Sequence, residues 1–234
     1  MFYNYHYLLY IPWHFPLNNN NSIQGASKEA ETVFKNEYPA IFSYLLQYKN
    51  ELMARNQTEV GVRYEWYALQ RFGSLYQSAF EKPKILVPDI SILGNFTIDD
   101  QGFYCANTSY MIGSDSKYLL GLLNSKLMNF YYKNIFAVYR GEFLRFFGQY
   151  LERIPVYIPD FSDPADTARH DRMVALVTQM LDLHRKLQES TLEHEKNVIQ
   201  RQIEATDREI DDLVYELYGL TEEERRIVEE ATQP

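Results

Sequence analysis

Cysteine occurs once in 234 residues, at Cys105, so no disulfide can close within the chain. That excludes the small cross-linked secreted scaffolds and fits a reducing cytoplasm. Cys105 sits in the apolar run Phe103–Tyr104–Cys105–Ala106, which reads as a buried strand cysteine rather than a nucleophile. No run is long and apolar enough to span a bilayer, so no membrane partner is expected. The greasy start Tyr7–Leu8–Leu9–Tyr10–Ile11 lacks a basic flank and meets Pro12. It reads as a strand in a chain that begins inside a fold, not as a secretory signal.

Catalytic signatures are also missing. There is no glycine-rich phosphate loop and no dinucleotide fingerprint. His6, His14, His170, His184 and His194 show no metal-ligand spacing. No Asn-Pro-Pro-Tyr tetrapeptide is present to hold a flipped base. Pro88–Asp89 begins like a nuclease signature, but no Glu-x-Lys follows. Glu65, Asp89 and Glu142 stand singly and read as structural or solvated carboxylates.

What the chain does have is aromatic side chains, 15% of it, with 20 Tyr and 14 Phe. Tyrosine joins a flat apolar ring to a polar tip, which suits a core rim or a surface that meets a partner. The net charge of −9 argues at first against nucleic acid. Its distribution reverses that reading. Residues 1–160 carry 14 Lys/Arg against 14 Asp/Glu, whereas residues 161–234 carry 9 against 18. The front portion is neutral and can hold a basic face; the tail carries all the excess acid.

The composition changes at Pro159–Asp160–Phe161–Ser162–Asp163–Pro164, a turn-rich linker. The expected domains are therefore 1–160 and 161–234. In the tail, Met173, Leu176, Val177, Met180, Leu183 and Leu187 form one helical stripe. Leu192, Ile199, Ile203, Thr206, Ile210, Leu213, Val214 and Leu217 form a second, at heptad-like steps. A coiled-coil-like hairpin turning near Ser190–Thr191, or one long helix, would satisfy both. Gly219 suits the position after a helix end. Thr221 with Glu224 forms a capping box.

In the front portion, Lys28 to Arg55 predicts a helix interrupted near Pro39, with Ile41, Leu45, Tyr48 and Leu52 on one face. Tyr118 to Phe136 predicts a second helix. Strands are expected at Tyr7–Ile11, Lys84–Val87, Phe96–Ile98, Gly102–Ala106, Tyr110–Ile112 and Val156–Ile158. Asp99–Asp100–Gln101–Gly102 predicts a hairpin turn. Strands and helices mix without a βαβ rhythm, so the class is α+β.

Cations interleave with aromatic residues in Arg63–Tyr64–Glu65–Trp66–Tyr67–Ala68–Leu69–Gln70–Arg71, and recur at Lys82–Pro83–Lys84, Tyr139–Arg140–Gly141 and Arg145. Arg and Gln can bond base edges bidentately, while Lys more often holds phosphate. Surface charge beside core aromatics is the plainer reading of the same residues. The order of segments adds to this. After the Arg63–Arg71 run come Lys82–Pro83–Lys84–Ile85, then Tyr118–Leu119–Leu120–Gly121–Leu122–Leu123–Asn124–Ser125–Lys126–Leu127, Arg140–Gly141 and Tyr150–Leu151–Glu152–Arg153–Ile154–Pro155–Val156. In that order they resemble the TaqI-like C-terminal specificity (target recognition) domain of type IIG restriction enzymes and related adenine-specific DNA methyltransferases. The Leu-Asn-Ser-Lys helix followed by Ile-Pro-Val is also similar to the target-recognition domains of type I specificity subunits. The resemblance runs from about Tyr7 to Pro159, and Asp211–Asp212–Leu213–Val214–Tyr215–Glu216–Leu217–Tyr218–Gly219–Leu220–Thr221 extends it into the tail.

The resemblance implies a division of labour. An upstream domain would bind S-adenosylmethionine, flip an adenine and methylate it, while this chain would bind double-stranded DNA and position it. The chain alone would neither methylate nor cut; catalytic and metal residues are not expected in it. DNA-binding candidates, by residue type and loop position, are Arg63, Gln70, Arg71, Lys82, Lys84, Asn107, Ser109, Arg140 and Arg145. Trp66 and Leu123 are expected in the core. Asn124 and Ser125 either bond nearby backbone, the preferred reading, or face DNA. The helical tail either packs within the chain or docks onto the upstream domain or a second copy as a homodimer. A protein-interaction scaffold in a phage-defence complex is the alternative function.

Overall fold

The computed structural model describes residues 8–71, 76–105 and 108–232. It divides into two compact units, one ending at Ser78 and one running Ala79–Pro234.

The first unit is built on three short helices. Ser27 caps α1 (Lys28–Glu37) by accepting from the Ala30 amide at 3.1 Å. Pro39, which lacks an amide proton and cannot extend α1, opens α2 (Pro39–Leu46). A second break at Gln47 and Tyr48 separates α3 (Lys49–Ala54). Ile41, Leu45 and Leu52 lean on the core, but Tyr48 is exposed. The core gathers Ile11, Phe34, Phe42, Val60, Tyr64, Trp66, Tyr67 and Ala68. Residues 8–11 form no strand; Ile11 contributes one carbonyl to the Leu69 amide at 2.9 Å.

The boundary between units falls within α4 (Gln77–Glu81). In the second unit, β1 (Lys84–Pro88) is central to an antiparallel sheet, flanked by β3 (Thr97–Asp99) and β4 (Ser109–Ile112). Ile85 faces Ile98 on one side and Ile112 on the other. The chain bends after Asp99, with Gly102 at φ +74°, but the expected hairpin does not form: β3 pairs with β1 and residues 102–105 add no strand; Ala106 lies outside the described residues. Between β1 and β3, β2 (Ile90–Ser91) leaves for another sheet. The expected Tyr118–Phe136 helix is two helices, α5 (Lys117–Asn124) and α6 (Lys126–Ile135). Ser125, with ψ 158°, ends one and caps the other by accepting from the Met128 amide at 3.3 Å. Next come β5 (Val138–Arg140) and β6 (Phe143–Arg145), which the periodicity reading omits; they complete an antiparallel sheet in the order β2-β6-β5. After α7 (Gly148–Leu151), the strand expected at residues 156–158 does not form. Two bonds with the tail tyrosine hold them: the Tyr157 amide donates to the Tyr218 hydroxyl at 2.9 Å, which donates to the Pro155 carbonyl at 2.6 Å.

The tail is the predicted hairpin, α8 (Pro164–Glu189) and α9 (Glu193–Leu217), followed by α10 (Glu222–Thr232). Gly219 takes φ +65°, and Thr221 and Glu224 bond reciprocally at 2.8 and 3.3 Å. The expected boundary at 160/161 is corrected: the division falls at Ser78/Ala79, and the tail supplies seven of the nineteen buried core residues of the second unit. Met173, Leu176, Val177, Ile210, Leu213, Val214 and Leu217 cluster with Ile85, Val87, Leu122, Leu123 and Phe146. The seam therefore covers the chain's own sheet and α5, because α5 offers it an apolar face. The fold is α+β, and no helix among the described residues is long and apolar enough to cross a membrane.

Candidate nucleic-acid interface

The cation–aromatic run of the first unit separates into two layers. Tyr64 to Ala68 are all buried, and Tyr64 stacks on Trp13 at 4.9 Å. Glu65 is buried with them and accepts from the His14 amide at 2.7 Å and the Ser27 amide at 2.8 Å. It is a structural carboxylate that ties the run to the start of α1. The run's flanking cations, Arg63 and Arg71, face solvent.

Arg63 and Arg71 share one carboxylate. Glu59 accepts from Arg63 at 2.9 Å on one oxygen and from Arg71 at 3.1 Å on the other. The Asn56 amide donates to that second oxygen at 3.1 Å. These two arginine bonds, Arg71 foremost, hold the Glu59 carboxyl below the usual carboxylate range. Arg63 also lies over the Trp13 ring at 5.3 Å. The trio keeps one net positive charge with both guanidinium groups largely exposed. Gln70 is half-buried beside them. Glu59 was legible only as an i,i+4 partner of Arg63.

Lys84 is corrected. Its side chain is 1% exposed, and Nζ donates to the Phe80 carbonyl at 2.6 Å and to the Asp99 carboxylate. The position opens the central strand of a sheet, so the lysine points inward and cannot meet DNA. Its neighbour Lys82 is exposed. Asn107 lies outside the described residues, and Ser109 is half-buried opposite Pro88. Cys105 is half-buried in a non-strand segment, and burial pushes its thiol up, which disfavours a thiolate.

The β5–β6 hairpin presents Arg140 outward. Arg145 instead turns back. Its guanidinium lies over Tyr139 at 5.1 Å and Phe147 at 4.6 Å, with the Asp89 carboxylate at 3.5 Å. Trp66 and Leu123 are core residues, as expected. Asn124 and Ser125 follow the structural reading: Asn124 accepts from the Phe96 amide at 2.9 Å and donates to its carbonyl at 3.0 Å, while Ser125 caps α6.

Of the predicted DNA-binding residues, Arg63 and Arg71 in the first unit and Lys82 and Arg140 in the second are exposed cations. Exposed cations of this kind can hold phosphate or read guanine edges.

Known proteins resemble this chain in sequence, and one in fold. The chain is 27% identical to the type II methyltransferase M.PaeR7I of Pseudomonas aeruginosa over 192 residues, covering 81% of this chain and 28% of that protein. It is 26% identical to the type II methyltransferase M.XhoI of Xanthomonas vasicola over 204 residues, covering 86% and 32%. It is 23% identical to the type II restriction enzyme and methyltransferase RM.Eco57I of Escherichia coli, covering 80% and 20%. The chain therefore spans at most about a third of these relatives. The type IIL restriction-modification enzyme MmeI, solved in complex with DNA, shares the fold with TM-score 0.51 and 13% identity over 81% of this chain and 26% of its own. The model of the TaqI-like C-terminal specificity domain matches residues 28–156, from the first helix to the Ile154–Pro155–Val156 segment; this chain belongs to that family.

Proposed function

We propose that this chain reads a duplex DNA sequence for an adenine-methyltransferase domain outside it. The observation that carries the reading is the specificity-domain match over residues 28–156, which includes every sequence-predicted DNA-binding residue. A methyl-transfer site cannot choose among many adenines. Choice needs side chains at base edges, each good pair contributing about 1–3 kcal/mol. Base flipping costs a few kcal/mol, so a second domain must grip the duplex meanwhile. Arg63, Arg71, Lys82 and Arg140 supply that grip. S-adenosylmethionine and the transfer step belong to the separate domain, since this chain has neither a glycine-rich loop nor the base-holding tetrapeptide. This chain alone is not an enzyme in this reading, and the reducing cytoplasm is its compartment.

The test is duplex binding by fluorescence anisotropy across a salt series, with the chain alone and joined to its upstream domain. Affinity should fall steeply with salt, each phosphate contact adding about −0.9 to the log–log slope. Arg63→Ala and Arg71→Ala should each flatten the slope by about one contact. Absence of duplex binding at low salt, with the upstream domain present, would reject the reading.

A further inference from the structure

Six consecutive residues, Val138 to Phe143, are exposed at the end of the β2-β6-β5 sheet. Val138, Tyr139 and Phe143 are 63%, 59% and 44% exposed. Leaving three large apolar side chains in water costs free energy that folding does not recover. The ribbon's root is fixed all the same. Leu144 and Phe146 are buried, the Phe146 amide donates to the Asp89 carbonyl at 2.9 Å, and the Arg145 amide donates to the Ala137 carbonyl at 2.9 Å. The Arg145 guanidinium, lying over both Tyr139 and Phe147, braces the outer strand against that root. The turn is tight: Arg140 faces Phe143 in register, and Gly141 holds φ +59°, a conformation that suits glycine.

We propose, resting on the DNA-reading function above, that this β5–β6 ribbon enters the major groove of the duplex. Arg140 would read a base edge there, and Tyr139 and Phe143 would pack on thymine methyl groups or sugars. A two-stranded ribbon fits the major groove, about 12 Å wide. The charge agrees. Residues 79–234 hold 17 Lys/Arg against 26 Asp/Glu, whereas in the ribbon Arg140 and Arg145 are balanced by Glu142 and by Asp89 against Arg145, so it carries none of that unit's acidic excess and its outermost cation is Arg140. Strand addition by another protein is disfavoured, because the register shifts between Val138 and Arg140 and breaks the ladder of the outer strand. Two copies pairing there would also bring Arg140 side chains together.

The test compares the protein, its upstream domain attached, with Arg140→Ala and with the double variant Tyr139→Ser/Phe143→Ser. Duplexes are selected from a randomised pool, and guanine N7 protection from methylation is mapped on the selected site. The expected result is a tenfold or greater loss of discrimination at one or two adjacent base pairs, loss of N7 protection there, and a salt slope changed by no more than about one contact. The Arg140 side chain is exposed, so an unchanged circular dichroism spectrum and urea midpoint should accompany the effect of Arg140→Ala. If wild type selects a site and the variants keep its discrimination and protection, the ribbon inference is overturned while the reading function stands. Variants that change only self-association or attachment to the upstream domain overturn it equally. A wild type that selects no sequence overturns both.

Discussion

Burial decides the role of each charged side chain more than its type does. Lys84 and Arg140 look equivalent in the sequence, but one closes a buried ion pair and the other is solvent-facing. Removing one partner of a buried pair strands the other, at a cost of about 3–5 kcal/mol. Asp99 also accepts from the Gln101 and Phe103 amides at 2.9 Å, so it would stay in place without its partner. Lys84→Met should therefore lower the unfolding free energy measured in urea by an amount within that range, without changing the salt slope of binding; a silent substitution would refute the inward assignment. Asp211 behaves differently. Burial pushes its carboxyl from 3.8 up to about 6, against the opposing bond from the Lys126 amide at 2.8 Å. The folded state then holds the proton more tightly than the unfolded chain. Stability from this group grows as pH falls from above 6 toward 4 and is lost as pH rises through 6. Asp211→Asn, neutral throughout and still able to accept from Lys126, should remove roughly 1–3 kcal/mol of pH dependence between about pH 7 and 4. Urea titrations of both proteins across that range check it, and parallel profiles would contradict it.

At the scale of elements, the contact of α5 with α8 depends on a missing side chain. A Cβ at Gly121 would sit 2.5 Å from the Met173 sulfur and 2.8 Å from a Val177 methyl. The two helices approach through that gap, and overpacking of this kind costs typically about 1–3 kcal/mol. Gly121→Val should be destabilising by that amount, and Gly121→Ala by less, since the methionine is flexible. Thermal unfolding of both variants gives the order; a valine variant as stable as wild type would mean that the helices part easily. The α5–α6 break belongs to this scale too. Leu119, Leu122, Leu123, Leu127 and Phe130 keep helical spacing across it, so periodicity alone predicts one helix. The interruption is a local matter of Ser125, whose hydroxyl donates to the Leu122 carbonyl at 2.8 Å while capping the next helix. The β5–β6 ribbon was missed for a related reason. Its strands have three residues each and are mostly exposed, so they carry little of the alternation by which a half-buried strand is recognised.

For the molecule as a whole, the second unit cannot be cut at the linker. A fragment of residues 1–160 lacks Met173, Val177, Leu213 and Val214 from its core and should be poorly dispersed by NMR and prone to aggregate. A fragment of residues 79–234 keeps that core and should unfold cooperatively. Cooperative folding of 1–160 would overturn the placement of the tail. The sequence by itself determined the α+β class, the two helical stripes of the tail with the caps that follow them, β1, β3 and β4, and the family, because these rest on local periodicity, capping chemistry and the order of segments. Only the tertiary structure decided that the acidic tail completes the sheet's core, that Lys84 turns inward and that Glu59 pairs two arginines. Such outcomes depend on which faces meet after the chain closes on itself, and spacing along the chain carries no record of that.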